Sequence, residues 1–141
     1  MLELNAQKQN VSMMVQGRSS AVFADRQLME ELVYNLCDNA IRYNNRGGSV
    51  TVTVDQEDGH TYLVVKDTGI GISAANQERV FERFYRVDKS RSKATGGTGL
   101  GLAIVKHIVS QHGAKLALKS EEGKGTEIRV DFPESIPGQQ A

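Results

Sequence analysis

Two strand-like segments meeting at a tight turn narrow the fold more than any other feature. Residues 49–57 alternate Val50, Val52 and Val54 with Thr51, Thr53 and Asp55, the two-residue period of a half-buried strand. Asp58-Gly59 follows, a dipeptide suited to the positive backbone angles of a short hairpin. Residues 61–67 (TYLVVKD) form the partner, apolar on both faces at the centre and therefore interior to a sheet. A second hairpin closes the chain over residues 115–120 and 126–132, with Ile128, Val130 and Phe132 facing inward. Residues 10–16 and 21–24 read as further short strands. Helical patterns lie between the strands. One covers residues 26–43, with Asp25 as N-cap and Asn44-Asn45-Arg46-Gly47-Gly48 as stop. A shorter one covers 76–84, and a strongly apolar one covers 99–112 and ends at Gly113. Hairpins with helices inserted between them make an α+β two-layer sandwich, with one mixed, mostly antiparallel sheet and helices on one face.

A chain of 141 residues is one domain, expected over residues 10–133. Residues 1–9 read as a linker and residues 134–141 as a frayed tail. Charge balances, with 17 Lys and Arg against 17 Asp and Glu, so a globally basic nucleic-acid binder is excluded. The single cysteine, Cys37, permits neither an intrachain disulfide nor a cysteine zinc site. No apolar run approaches the ~18–20 residues of a transmembrane span, and the first residues lack a signal-peptide core. The expectation is a cytosol-compatible domain that does not itself contact a membrane.

Glycine is the compositional anomaly. Of 14 glycines, Gly69 and Gly71 form one tight group and Gly96, Gly97, Gly99 and Gly101 another, while both prolines sit at the end. Glycine without proline suggests backbone approaching a ligand more than a linker.

Four segments carry chemistry. On the first long helix, Asn35, Asn39 and Arg42 fall within about 60° of one another. Met29, Leu32, Val33, Leu36, Ala40 and Tyr43 make the apolar stripe that faces the core. A polar stripe is ordinarily a solvated face, but such faces favour Glu and Lys, and Asn is a poorer helix former. Carboxamide oxygens are hard ligands that suit Mg²⁺ shared with phosphate.

The second segment is Asp67-Thr68-Gly69-Ile70-Gly71-Ile72, directly after the interior strand. Two readings stand for Asp67: a cap on its own turn, or an acceptor for an exocyclic amino group of a purine lying against the glycines. Gly69-x-Gly71-x-x-Ala74 also fits a loose dinucleotide fingerprint, but hairpin connections remove the βαβ context that it needs.

The third segment runs from Phe81 through Arg83, Phe84, Tyr85, Arg86, Lys89, Arg91 and Lys93 into Gly96-Gly97-Thr98-Gly99-Leu100-Gly101-Leu102. A run of cations is ordinarily a solvated loop. This one enters a glycine-rich turn that opens a helix, whose unpaired N–H groups make an anion site. Arg86, Lys89 and Arg91 can close over phosphates from that side. No G-x-x-x-x-G-K-[S/T] occurs, so this is not a P-loop. The fourth segment, Gly123-Lys124-Gly125-Thr126, needs no function as a hairpin turn, yet the Thr126 hydroxyl can reach an adenine.

In this order, the segments resemble the catalytic, ATP-binding domain of bacterial two-component sensor histidine kinases, of the superfamily shared with gyrase and a heat-shock chaperone. Residues 35–43 (NLCDNAIRY) resemble its asparagine box and Asp67-x-Gly69-x-Gly71 its first glycine box. Residues 81–86 (FERFYR) resemble the phenylalanine box, residues 97–102 (GTGLGL) the second glycine box, and residues 123–126 (GKGT) the last. The resemblance covers about residues 10–133 and implies a Bergerat-type sandwich.

It further implies Mg²⁺ on Asn35 and Asn39, and the adenine amino group on Asp67. Tyr43 would lie beside the base. Gly69, Gly71, Ile72 and Thr126 would complete the base site. Arg42, Tyr85, Arg86, Lys89 and Arg91 would meet the nucleotide from its phosphate side. Residues 84–99 would be a lid, and Thr98, Gly99, Leu100, Gly101 and Leu102 its hinge and the phosphate cradle. Asn35 and Arg86 would stand nearest the transfer chemistry. The implied cofactors are ATP and Mg²⁺. The implied partners are the dimerisation and phosphoacceptor domain of the same kinase and the receiver domain of a response regulator. The implied setting is the cytoplasmic part of a membrane-anchored parent.

Two departures bear on the reaction. In the gyrase and chaperone relatives a glutamate occupies the position of Asn35 and activates water; an amide cannot take that proton. Hydrolysis is therefore expected to be poor. The phosphoacceptor is also missing. His60, His107 and His112 lie in no His-Glu-x-x-x-Pro-like context and read as surface or packing residues. The competing readings are an ATPase or serine-directed kinase of the same superfamily, and a degenerate domain serving only as an interaction module.

Overall fold

The computed structural model describes residues 11–17, 26–77, 79–82 and 101–133. Strand β1 (Ser12–Gly17) runs parallel to β2 (Ser49–Glu57), from Ser12 opposite Ser49 to Gly17 opposite Val54. A parallel pair needs a long crossover, and helix α1 (Arg26–Arg42) lies within it. β2 turns through Asp58, at φ 51°, and Gly59, at φ 83°, into antiparallel β3 (His60–Asp67). After β3 come a single helical turn, α2 (Ala74–Gln77), and helix α3 (Gly101–Gln111). The hairpin of β4 (Lys115–Glu121) and β5 (Gly125–Asp131) completes the sheet, with β5 beside β3. The strand order is β1-β2-β3-β5-β4, mixed and mostly antiparallel.

The two-residue period decides which face is covered. Val50, Val52, Leu63, Val65, Ile128 and Val130 are buried beneath α1 and α3. From the helices come Leu32, Leu36, Cys37, Ala40 and Ile41 of α1, and Leu102, Val105, Ile108 and Val109 of α3. β3 is interior as expected, paired on both edges, yet only one of its faces is covered. On the open face the Arg129 guanidinium stacks 4.1 Å from the centre of the Tyr62 ring. Among the described residues no helix is long and apolar enough to cross a membrane.

Two expectations need correction. The helix expected over residues 76–84 is one turn. Ser73 O accepts the N–H groups of Asn76 and Gln77, but Arg79 N bonds Asn76 O and Glu82 N bonds Arg79 O, three-residue closures that do not propagate. Burial of Val80 against the core bends the chain there, and residues 83–84 lie outside the described residues. Val33, placed in the apolar stripe of α1, is 37% exposed, whereas Cys37 and Ile41 are buried. The helix packs against α3 as well as the sheet, and its covered face turns toward both. The third helix is described from Gly101, so residues 99–100 lie outside, as do the strand expected at 21–24 and the Asp25 cap.

Candidate functional site

Asp67 ends β3 on the covered face, 7% exposed, opposite Thr126 at the start of β5. Its Oδ1 accepts the Gly69 N–H at 2.8 Å and the Thr126 N–H at 3.2 Å. Burial pushes the carboxyl up to about 6, while the two N–H bonds pull the other way. Desolvation wins because two neutral donors do not replace the water lost around a charge. Asp67 thus does cap its own turn through Gly69. Its second oxygen, Oδ2, receives no hydrogen bond from any described residue.

The loop after Asp67 is clamped from both sides. Ile70 N bonds Tyr43 O, at the end of α1, at 3.0 Å, and Gly123 N bonds Ile70 O at 2.7 Å. A Cβ on Gly69 would collide with the Tyr43 carbonyl, and one on Gly71, at φ 70°, with the Glu121 carbonyl. The glycines therefore allow close packing of protein backbone on the side where a Cβ would stand. Ile72 is buried in the core, and its N–H goes to Ser120 Oγ at 2.7 Å.

On α1, Asn35 Nδ2 donates to Glu31 O at 2.8 Å, which turns Oδ1 away from its own helix. That oxygen lies 3.3 Å from where a Cβ on Gly101 would stand. The asparagine stripe and the start of α3 are thereby neighbours, though far apart in sequence. Asn39, half-buried, makes no side-chain hydrogen bond with any described residue. Arg42 Nε holds Asp38 Oδ2 at 2.7 Å, so this guanidinium is already paired along its own helix. Tyr43 is half-buried beside the clamped loop. Leu102 is buried in the core, which leaves only its backbone for a cradle at the start of α3. Tyr85, Arg86, Lys89, Arg91, Thr98, Gly99 and Leu100 lie outside the described residues.

Sequence reasoning missed three supports of this site. Asn44, 1% exposed, donates from Nδ2 to Ser49 O at 3.0 Å and accepts the Asn45 N–H at 2.8 Å. Thr68 Oγ1 accepts the Ser49 N–H at 2.9 Å, fastening the loop to β2. Gln77 Nε2 donates to Ile72 O at 2.9 Å and to Ser120 O at 3.0 Å, fastening it to β4. A polar residue at a helix end or strand start has no period, so pattern alone gave no signal for these.

The histidines fall as the sequence suggests. His60 Nε2 meets Asp131 Oδ1 at 3.0 Å, His112 Nδ1 meets Ile108 O at 2.8 Å, and His107 is exposed. Among the described residues no group of three His, Cys, Asp or Glu is arranged to hold a metal ion.

A family model described as "Histidine kinase-, DNA gyrase B-, and HSP90-like ATPase" matches residues 24–136. The chain belongs to this ATPase family. Within it the domain is similar to the "Sensor-like histidine kinase SenX3" of Mycolicibacterium smegmatis, 47% identical over 113 residues. That match takes 80% of this chain and 29% of SenX3, so the ATPase domain spans under a third of the relative's length. The solved structure of a mycobacterial sensor histidine kinase, MprB, superposes with a TM-score of 0.79 at 32% identity, over 96% of this chain and 92% of that one. Full-length ShkA, solved in complex with AMPPNP, superposes at 0.78 and 25% identity, over 99% of this chain and 29% of that one. The ATPase domain is of the ATP-binding, catalytic type of the sensor histidine kinases, and its mixed sheet under helices is their fold.

Proposed function

We propose that this domain binds Mg·ATP between α1, the Asp67 loop and the start of α3, and that in its parent protein it delivers the γ-phosphoryl group to a histidine on a separate helical domain. The phosphoryl would then pass to the receiver domain of a response regulator. The parent would be membrane-anchored with this domain on the cytoplasmic side.

One observation carries the reading. Asp67 has one oxygen held by two backbone N–H groups, and a second that no described group satisfies, at a buried position. A buried acceptor left open calls for a donor from a ligand. The exocyclic amino group of adenine is such a donor, and ShkA, which shares this fold, is solved in complex with AMPPNP.

The asparagines fit a magnesium ion. Asn39 presents a carboxamide unengaged among the described residues, and Asn35 turns its oxygen toward the start of α3. These are hard oxygen donors and few in number, as suits a cation whose remaining ligands are phosphate and water. When bound, the ion would neutralise charge on the triphosphate. The N–H groups at the start of α3 would hold a phosphate oxygen. Arg86, Lys89 and Arg91 would add charge from the lid. Arg42 would reach a phosphate only by sharing itself with Asp38.

Asn35 also argues against hydrolysis. Its amide nitrogen is a donor to Glu31 O, and neither of its atoms can take a proton from water. Positioning and charge neutralisation would carry most of the transfer, as is general for phosphoryl chemistry.

Calorimetric titration with a non-hydrolysable ATP analogue, with and without Mg²⁺, tests the reading. Binding that strengthens with Mg²⁺ is expected, and no heat at millimolar ligand would overturn it. Rapid phosphate release by the isolated chain would instead favour an ATPase.

A further inference from the structure

Ser120 belongs to none of the segments that define the site. It stands on β4, and its Oγ touches three polar atoms. It accepts the Ile72 N–H at 2.7 Å, lies 3.0 Å from the Gly125 carbonyl oxygen, and lies 2.8 Å from Thr126 Oγ1. Thr126 is itself 8% exposed and faces Asp67 across the β3–β5 ladder.

A hydroxyl has one proton and two lone pairs. The Ile72 N–H can only donate, and the Gly125 carbonyl can only accept. Only one arrangement makes all three contacts hydrogen bonds. Ser120 gives its proton to Gly125 O and takes one from Thr126. The Thr126 proton is then turned inward, and Thr126 can offer a ligand only lone pairs. Asp67 Oδ2, on the neighbouring strand, offers lone pairs too. Two adjacent acceptors suit a 6-amino group on a purine. They oppose a 6-oxo group, whose oxygen would meet lone pairs with no proton between.

We propose that Ser120 is a positioning residue for base choice: by accepting the Thr126 proton it holds Thr126 as an acceptor, so that the site takes 6-aminopurine nucleotides over 6-oxopurine ones. This rests on the purine reading of Asp67. The role is distinct from support alone, since a prop would raise or lower affinity for both bases together.

The test compares ATP with inosine triphosphate, which carries oxygen in place of the 6-amino group. Both are titrated into the wild-type chain, Ser120→Ala and Ser120→Thr. Wild type is expected to prefer ATP. In Ser120→Ala the Thr126 proton is freed to meet a 6-oxo group, and the ATP-to-inosine affinity ratio should narrow about tenfold, the worth of one exchanged hydrogen bond. Ser120→Thr keeps a hydroxyl and should keep the ratio. If Ser120→Ala does not fold, Thr126→Val reads the same contact, because it deletes the second acceptor and should also narrow the ratio. An unchanged ratio in the folded variant overturns the role of Ser120 while the purine cleft stands. Equal affinity of wild type for the two nucleotides overturns the base preference. Failure of wild type to bind either one overturns the purine reading and this proposal with it.

Discussion

The backbone N–H of Thr126 donates to Asp67 Oδ1 across the β3–β5 ladder at 3.2 Å. Two strands that pair at the centre of the sheet thereby orient a carboxylate at its end. With Gly69 on the same oxygen, the group is held with one face closed and one open.

Replacing Asp67 by Asn leaves an acceptor for both N–H groups and puts an amide donor where Oδ2 was. Two donors would then meet at the adenine amino group. A hydrogen bond to a charged group is worth ~1.5–3 kcal/mol, so Asp67→Asn should weaken ATP-analogue binding by about tenfold to a hundredfold in calorimetry. The nucleotide-free variant should unfold at higher temperature than wild type at neutral pH, because no buried charge remains to be desolvated. Unchanged affinity would refute the assigned contact.

The pH dependence follows from the same carboxyl. Its folded pKa is raised from 3.8 to about 6 by burial. Between these values the folded chain holds the proton more often than the unfolded chain does. The stability that Asp67 contributes is therefore full below pH ~4 and is lost as pH rises through ~6, about 3 kcal/mol in all. Asp131 works the other way: hydrogen bonding from Arg129 lowers its pKa, and its contribution fades as pH falls. The difference between wild type and Asp67→Asn isolates the first effect. Denaturant melts should show it shrinking from pH 7 to pH 4. Nucleotide affinity should move oppositely in wild type, falling below pH ~6 as the acceptor is protonated, and stay flatter in the variant.

Gly125 sits at φ 117°, and a Cβ there would strike the Asp67 carbonyl oxygen. Gly125→Ala combines a backbone conformation foreign to L residues with a collision against the ladder. Each is worth ~1–3 kcal/mol, so a loss of about 2 kcal/mol or more is expected in chemical denaturation. Thr126 should shift with the strand, and nucleotide affinity should fall further than stability alone explains. Gly123→Ala is the control. Gly123 also has positive φ, at 84°, but open space lies where its Cβ would go, so only the strain remains.

The Asn39 side chain makes no hydrogen bond with any described residue, so Asn39→Ala should cost little stability. As a magnesium ligand it should matter only when the ion is present. Affinity for the ATP analogue should drop about tenfold with Mg²⁺ and barely change in EDTA, by analogy with the loss of one charge-assisted contact. An equal loss in both conditions would remove Asn39 from the metal.

Hairpins and helix faces are legible in the sequence. Val50, Val52 and Val54 announced a one-faced strand, Asp58-Gly59 its turn, and Leu32, Leu36 and Ala40 a buried helix stripe; all three lie where the pattern puts them. Periodicity worked because each element repeats its contact with the core every two residues, or every three to four. It failed at 76–84, where a short polar stretch with a buried Val80 carries no period to read, and at Val33, where a second helix beside α1 decides which side is covered.

Motif order alone placed Asp67, Thr126 and the two asparagines in one functional set, because each residue type suits one part of a nucleotide. Which oxygen of Asp67 stays open, that Arg42 is held by Asp38, and that Ser120 Oγ lies against Thr126 Oγ1 were settled by the folded chain. Those facts depend on Cα neighbours across strands and on carbonyls that approach from distant loops. Local sequence carries no record of them, since a hydrogen bond between residues 67 and 126 exists only once β3 and β5 lie side by side.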